Sequence, residues 1–189
     1  NKVIWYSIFG TGTGYAALSE YMLPALEELG YDVYINDWWG NQSPILTDYV
    51  KNLYQKTLKN EQKVNFNDVP QILCWGFTSY PNLKGKYKLG FPFVESTKLR
   101  KFYADRVNMA DFLLVSSDFT KNVLKDSGVN TEMRMVRPYI DIHKFKYIPR
   151  HRKESDPFTF LHIGVMQERK NTHQCLDGYL AAFPDNGKT

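Results

Sequence analysis

Cysteine is scarce in this chain: two in 189 residues, at positions 74 and 175. Two thiols cannot build a disulfide framework, and both fall in apolar or helical patterns, so two buried free thiols in a reducing compartment are expected. No apolar run approaches the eighteen or so residues a membrane-spanning helix needs, and no secretory leader is recognisable. Charge of one sign is not concentrated. The net charge of +4 is spread along the chain, which gives no nucleic-acid footprint. Lys84, Lys86 and Lys88, and the run from Arg150 to Lys153, read as solvated loops. No cluster of His, Cys and acidic residues has metal-ligand spacing. These absences leave a soluble, cytoplasmic globular protein or part of one, with peripheral membrane contact and oligomeric state left open.

What is present begins near the start. Val3 to Phe9 is a near-continuous apolar run, as in a strand buried on both faces of a parallel sheet. Gly10, Gly12 and Gly14 follow at alternate positions, and Tyr15 to Leu29 then shows helical spacing. Such a loop lets backbone approach a ligand, and the helix start behind it suits an anion. Pro24 is expected to kink or restart the helix, and Gly30 to cap it in the left-handed conformation.

The remaining chain alternates. Strands are expected at Tyr31–Asn36, Gln71–Phe77, Lys86–Phe93, Phe112–Ser116 and Glu132–Val136. Helices are expected at Ser43–Leu58, Thr97–Asn108 and Phe119–Lys125, with Asp118 as a cap and Gly128 as a stop. Lys59 to Asp68 reads as loop. This order argues an α/β, Rossmann-like doubly wound parallel sheet. Tyr139 to Pro157 reads as a linker. Phe158–Ile163 is then expected as a fresh buried strand containing a packed His162, and Thr172–Phe183 as a helix. Residues 1–149 are thus expected to form one domain, and 150–189 the linker and first strand and helix of a second, unfinished one.

Two loops carry the candidate chemistry. In G-T-G-T-G-Y, Gly10 and Gly12 match the first two glycines of the dinucleotide fingerprint, but Tyr15 stands where the third small residue belongs. Asp37 ends the second strand, where a ribose-binding acid would sit. These keep an NAD-type oxidoreductase, or a nucleotide-sugar modifying enzyme, as an alternative. A glycine turn serving only close helix–strand packing is the purely structural reading. No Gly-Lys-Ser/Thr closes the loop, so it is not a P-loop. The second loop is G-V-M-Q-E-R-K-N, where Gly164 permits a turn and Arg169 and Lys170 place two cations beside a helix start.

Taken in order, four pieces resemble the retaining group-one glycosyltransferases of GT-B fold. They are F-G-T-G-T-G-Y-A-A-L with L-E-E-L-G-Y-D-V; F-P-F-V-E-S-T-K-L with A-D-F-L-L-V-S-S-D-F-T-K-N-V-L; V-R-P-Y-I-D-I-H-K-F; and F-L-H-I-G-V-M-Q-E-R-K-N. The resemblance implies two Rossmann-like domains facing each other across a cleft. It implies transfer of a sugar from a nucleotide-diphosphate sugar to a hydroxyl of a sugar or other acceptor, with retention and without a cofactor or metal. Gly10, Gly12, Gly14, Gly164, Arg169 and Lys170 would hold the donor phosphates. Thr11, Thr13, Tyr15 and Glu95 would lie at the cleft, and Asp141 and Phe145 would be structural. Val165 replaces an arginine common in such enzymes, and Pro138-Tyr139-Ile140-Asp141 is shorter than their usual pattern. No residue is assigned to the chemical step, whose acidic pair would lie past Thr189, so the stretch alone is expected to be inactive. A non-catalytic sugar- or nucleotide-binding module of the same fold is the third reading.

Overall fold

The computed structural model describes residues 1–37, 45–61, 63–138 and 145–184. It divides into two compact units, Asn1–Phe145 and Lys146–Thr189. Each is described by itself.

The first unit is a six-stranded, all-parallel sheet flanked by helices, a Rossmann-like doubly wound α/β fold. Its strands are β1 (Lys2–Ser7), β2 (Asp32–Asp37), β3 (Gln71–Leu73), β4 (Lys88–Gly90), β5 (Phe112–Val115) and β6 (Met133–Met135). Its helices are α1 (Gly14–Glu28), α2 (Asp48–Asn60), α3 (Lys101–Val107) and α4 (Asp118–Asp126). The strand order is β2-β1-β3-β4-β5-β6. The chain therefore leaves β1 to one side and returns past it to the other.

Strand alternation divides the core. Val3 and Trp5 pack with Leu18 and Leu23 of α1, and with Val33 and Ile35 of β2. On the other side of the sheet, Leu113 and Val115 pack with Ala104, Val107, Val123 and Leu124 of α3 and α4. Both faces of β1 are buried, which accounts for its unbroken apolar sequence.

Helix α2 does something different. The outward N–H of Ile35 donates to Thr57 Oγ1 at 3.2 Å, and Lys56 Nζ reaches Asp32 at 2.8 Å. The helix thus closes the open edge of β2, satisfying backbone that would otherwise invite another strand.

Several expectations are corrected. Helix α1 runs through Pro24 without a restart. Helix α2 continues through Lys59 to Asn60, and a 3₁₀ turn occupies Phe66–Asp68, so Lys59–Asp68 is not all loop. The cap of α4 is Ser117, whose hydroxyl accepts from Thr120 N–H at 3.1 Å; Asp118 is the first helical residue. Gly30 (φ +83°) and Gly128 (φ +88°) are left-handed stops as expected. The loop after β2, the start expected for α2 at Ser43, and Asp141 lie outside the described residues.

In the second unit, helix α5 spans Thr172–Ala182. The strand expected at Phe158–Ile163 does not form; those residues carry no strand pairing. A strand exists through a neighbour's backbone, and none is beside this segment within the unit. Phe160 is 59% exposed and Ile163 84%. His162 is likewise exposed rather than packed, with Nε2 3.1 Å from Thr172 Oγ1, and Cys175 is exposed rather than buried.

Gly90 is fixed by packing. A Cβ there would run into the Tyr80 hydroxyl and lie 2.7 Å from Leu113 Cδ2. That hydroxyl is buried and has no hydrogen-bond partner. Gly90→Ala is expected to cost about 1–3 kcal/mol by overpacking, read as a lower urea midpoint. In a Tyr80→Phe background, where the nearest obstructing atom is gone, part of that loss should return.

Candidate functional site

In a doubly wound sheet, ligands bind outside the carboxyl ends of the strands where the order reverses. Here that point lies between β1 and β3. The segments leaving these two strands are Ile8–Thr13, which carries the glycine loop, and Cys74–Gly76.

The loop is built by simple means. Thr13 caps α1 from an extended backbone (φ −99°, ψ 155°), accepting from Ala16 N–H at 3.4 Å. Thr11 Oγ1 lies 2.8 Å from Thr13 Oγ1. Gly10 adopts φ +60°, a conformation that favours glycine. Gly12 and Gly14 have no positive φ, and a Cβ at either would meet nothing within 4 Å. Neither glycine serves close helix–strand packing, so the packing explanation fails at these two positions. What they keep open is the exposed space in front of the first turn of α1.

Beneath the loop lies a buried polar lock. Trp5 Nε1–H donates to Ser19 Oγ at 2.9 Å. Ser19 Oγ lies 2.8 Å from both Ser7 Oγ and the Tyr15 carbonyl, and its one proton serves these two acceptors. Ser7 Oγ donates to the Cys74 carbonyl at 2.9 Å. Strand β1, helix α1 and the end of β3 are joined at one point.

Tyr15 stands at the loop's exit. Its ring meets Trp75 edge-on at 5.0 Å between centroids, and Phe93 at 5.5 Å. Burial, then Cys74 and Glu95, push its hydroxyl up to about 12. Burial also pushes the Cys74 thiol up to about 12, against the pull of the Ser7 and Ser19 hydroxyls. Near neutral pH both groups are protonated. Tyr15 can donate a hydrogen bond, and Cys74 is no nucleophile. Glu95 is exposed in the loop after β4 and caps no helix.

The structure brings Gly10–Tyr15, Trp75, Phe93 and the approach of Glu95 to the same edge. Gly164, Arg169 and Lys170 belong to the second unit. There Glu168–Lys170 forms a 3₁₀ turn directly before α5, with Asn171 left-handed (φ +56°) between them. Gly164 has an open flank, its nearest neighbour being His162 Nε2 at 3.8 Å from an added Cβ. Asp37, the acid of the dinucleotide alternative, stands level with Ser7 at the end of β2, beside Tyr54. Phe145 is 55% exposed. No group of three or more His, Cys, Asp or Glu able to hold a metal occurs among the described residues, and no described helix is long and apolar enough to cross a membrane.

Sequence reasoning missed Ser7, Ser19, Trp75 and Phe93. Ser7 was the visible signal, a small polar residue closing the largely apolar strand β1. Ser19, on the inward face of α1, was another.

No protein-family model matches the chain, and comparison with curated proteins finds no match.

The raised groups make stability depend on alkaline pH. Both bind their protons more tightly folded than unfolded, so their contribution is complete below the unfolded values. It is lost as pH rises from about 9 for Cys74, or 10 for Tyr15, to about 12. Tyrosinate absorbance should show an ordinary phase near 10 and a late one. Tyr15→Phe should shrink the late phase by one tyrosine. A late phase unchanged in that variant would show that Tyr15 is not held protonated.

Proposed function

We infer that this chain is the acceptor-side domain, with the start of the donor-side domain, of a retaining glycosyltransferase using a nucleotide-diphosphate sugar. The observation that carries this reading is the glycine loop at the sheet's switch point. Its second and third glycines answer to no conformational or packing need in the chain, and so suit the close approach of a ligand. The order of the four family-like segments supports the same reading.

The chemistry follows from charge. A sugar leaves its diphosphate as negative charge builds on the departing oxygen, and the barrier falls if fixed positive potential awaits it. The first turn of α1 behind Gly10–Gly14 offers backbone N–H groups. Arg169 and Lys170, on a turn at the start of α5, offer cations. In this reading each, within its own unit, supplies positive potential suited to a donor phosphate. The protonated Tyr15 and exposed Glu95 lie at the acceptor side, where they would hydrogen-bond hydroxyls. No step in this scheme is routed through a metal. Placement in the cytoplasm, where both thiols stay reduced, belongs to the same proposal.

The NAD-type alternative is weakened by Tyr15. The third position of the fingerprint serves close helix–strand packing, and here it holds a ring wedged against Trp75 and Phe93.

In the full-length protein, UDP or GDP is expected to raise the melting temperature, and NAD to leave it unmoved. Lys170→Ala should weaken nucleotide-diphosphate binding about tenfold, or roughly 1.4 kcal/mol. Unchanged affinity sinks the clamp, and a shift with NAD alone overturns the whole reading. Donor binding with neither transfer nor donor hydrolysis would favour the non-catalytic module.

A further inference from the structure

Beyond its glycines, the switch-point edge is aromatic. Tyr15 opens α1, Trp75 leaves β3 and Phe93 leaves β4. The Tyr15 ring stands edge-on to the other two, at interplanar angles of 72° to Trp75 and 89° to Phe93. Phe91 stacks on Phe93 at 5.2 Å and is sealed in the core, whereas Tyr15, Trp75 and Phe93 are only half-buried. Large rings left partly open at a strand-end crevice, beside a few polar groups, are the usual lining of a small-molecule site.

The polar groups select among ligands. Tyr15 meets its neighbours through its ring and its carbonyl, and its hydroxyl makes no hydrogen bond among the described residues. That hydroxyl is protonated near neutral pH, so it has a proton to give and lone pairs to offer. The Glu95 carboxylate is close enough to act on it. Rings set at steep angles do not make the parallel slot that clasps a flat base. They offer single faces and edges, which suit the C–H face of a sugar ring, while a phenol and a carboxylate suit its hydroxyls. A phosphate brought here would meet the Glu95 charge and half-buried apolar rings, both unfavourable to an anion.

We propose that Tyr15, Trp75 and Phe93 form the acceptor subsite and that the acceptor is an uncharged sugar, its apolar face on Trp75 and its hydroxyls bonded to the Tyr15 hydroxyl and the Glu95 carboxylate. The subsite lies wholly within the first unit. Phosphosugars are disfavoured by the same groups that hold the neutral ring. The proposal rests on the glycosyltransferase reading for the sugar's role as acceptor, and on the aromatic edge alone for its binding.

Ligand-observed NMR titration of the full-length protein with methyl β-D-glucoside, methyl β-D-galactoside and glucose 6-phosphate tests the subsite. At least one neutral glycoside should bind about tenfold or more tightly than the phosphate, and should change the tryptophan fluorescence. Trp75→Phe, verified as folded by circular dichroism, should abolish that fluorescence change. Tyr15→Phe keeps the ring and removes the hydroxyl, and should weaken the glycoside about three- to tenfold. The melting shift with UDP or GDP is read on the same samples. If that shift is intact but neither glycoside binds, the subsite is overturned while the transferase reading stands. Glycoside binding without any nucleotide shift supports the sugar site and overturns its role as acceptor subsite. Glucose 6-phosphate binding as well as the glycosides, displacement of the glycoside by uridine or guanosine, or glycoside affinity untouched in both folded variants would also overturn the proposal.

Discussion

The hydroxyl of Ser19 is the point on which the candidate site depends. It accepts from Trp5 Nε1–H and shares its own proton between Ser7 Oγ and the Tyr15 carbonyl. Ser7 passes the connection to Cys74 at the end of β3. Without this chain, three polar groups would be buried unpaired at the joint between a strand, a helix and a loop, each at about 1–3 kcal/mol. With it, the start of α1 is held at a fixed height above the sheet. The glycine loop can then remain open without collapsing onto the strand ends. Openness at Gly12 and Gly14 is thus supported from below by bonds that those glycines do not themselves make.

The position of this lock follows from topology. Strand order β2-β1-β3 makes the chain turn in opposite directions after β1 and β3. Parallel strands also aim all their carboxyl ends at one edge. The aromatic group of Tyr15, Trp75 and Phe93 collects there because three successive strand ends contribute to it. Fold and site have one cause.

Much of the first unit was legible because its signals are local. The apolar run of β1 needs both faces covered, and Gly30 and Gly128 mark helix ends by a conformation few other residues accept. The errors also have local causes. Ser117 and Asp118 are both good caps, and only the geometry decides between them. Pro24 lacks one N–H, yet Leu23 and Leu18 are buried in the core, and packing of that face holds the helix together. The edge role of Thr57 has no sequence signature, since a threonine near the end of a helix looks the same whether or not it meets a strand. The site was half legible. Its glycines follow a spacing, whereas Ser7, Ser19, Trp75 and Phe93 are joined by separations of many residues that no motif records.

The second unit shows why pattern alone cannot make a strand. Phe158 to Ile163 has the composition of a buried strand, and Thr172 to Ala182 has enough helical propensity to form α5. A helix satisfies its own backbone internally, so it can form with its side chains still exposed. A strand cannot, because each N–H and C=O needs a neighbour. The aromatic contacts among Phe160, Tyr179 and Phe183 show that the apolar residues already seek each other. Yet the largest of them stay open to solvent. One segment and one helix have too little surface between them to form a core, so the composition that signals a strand is necessary for it and not sufficient.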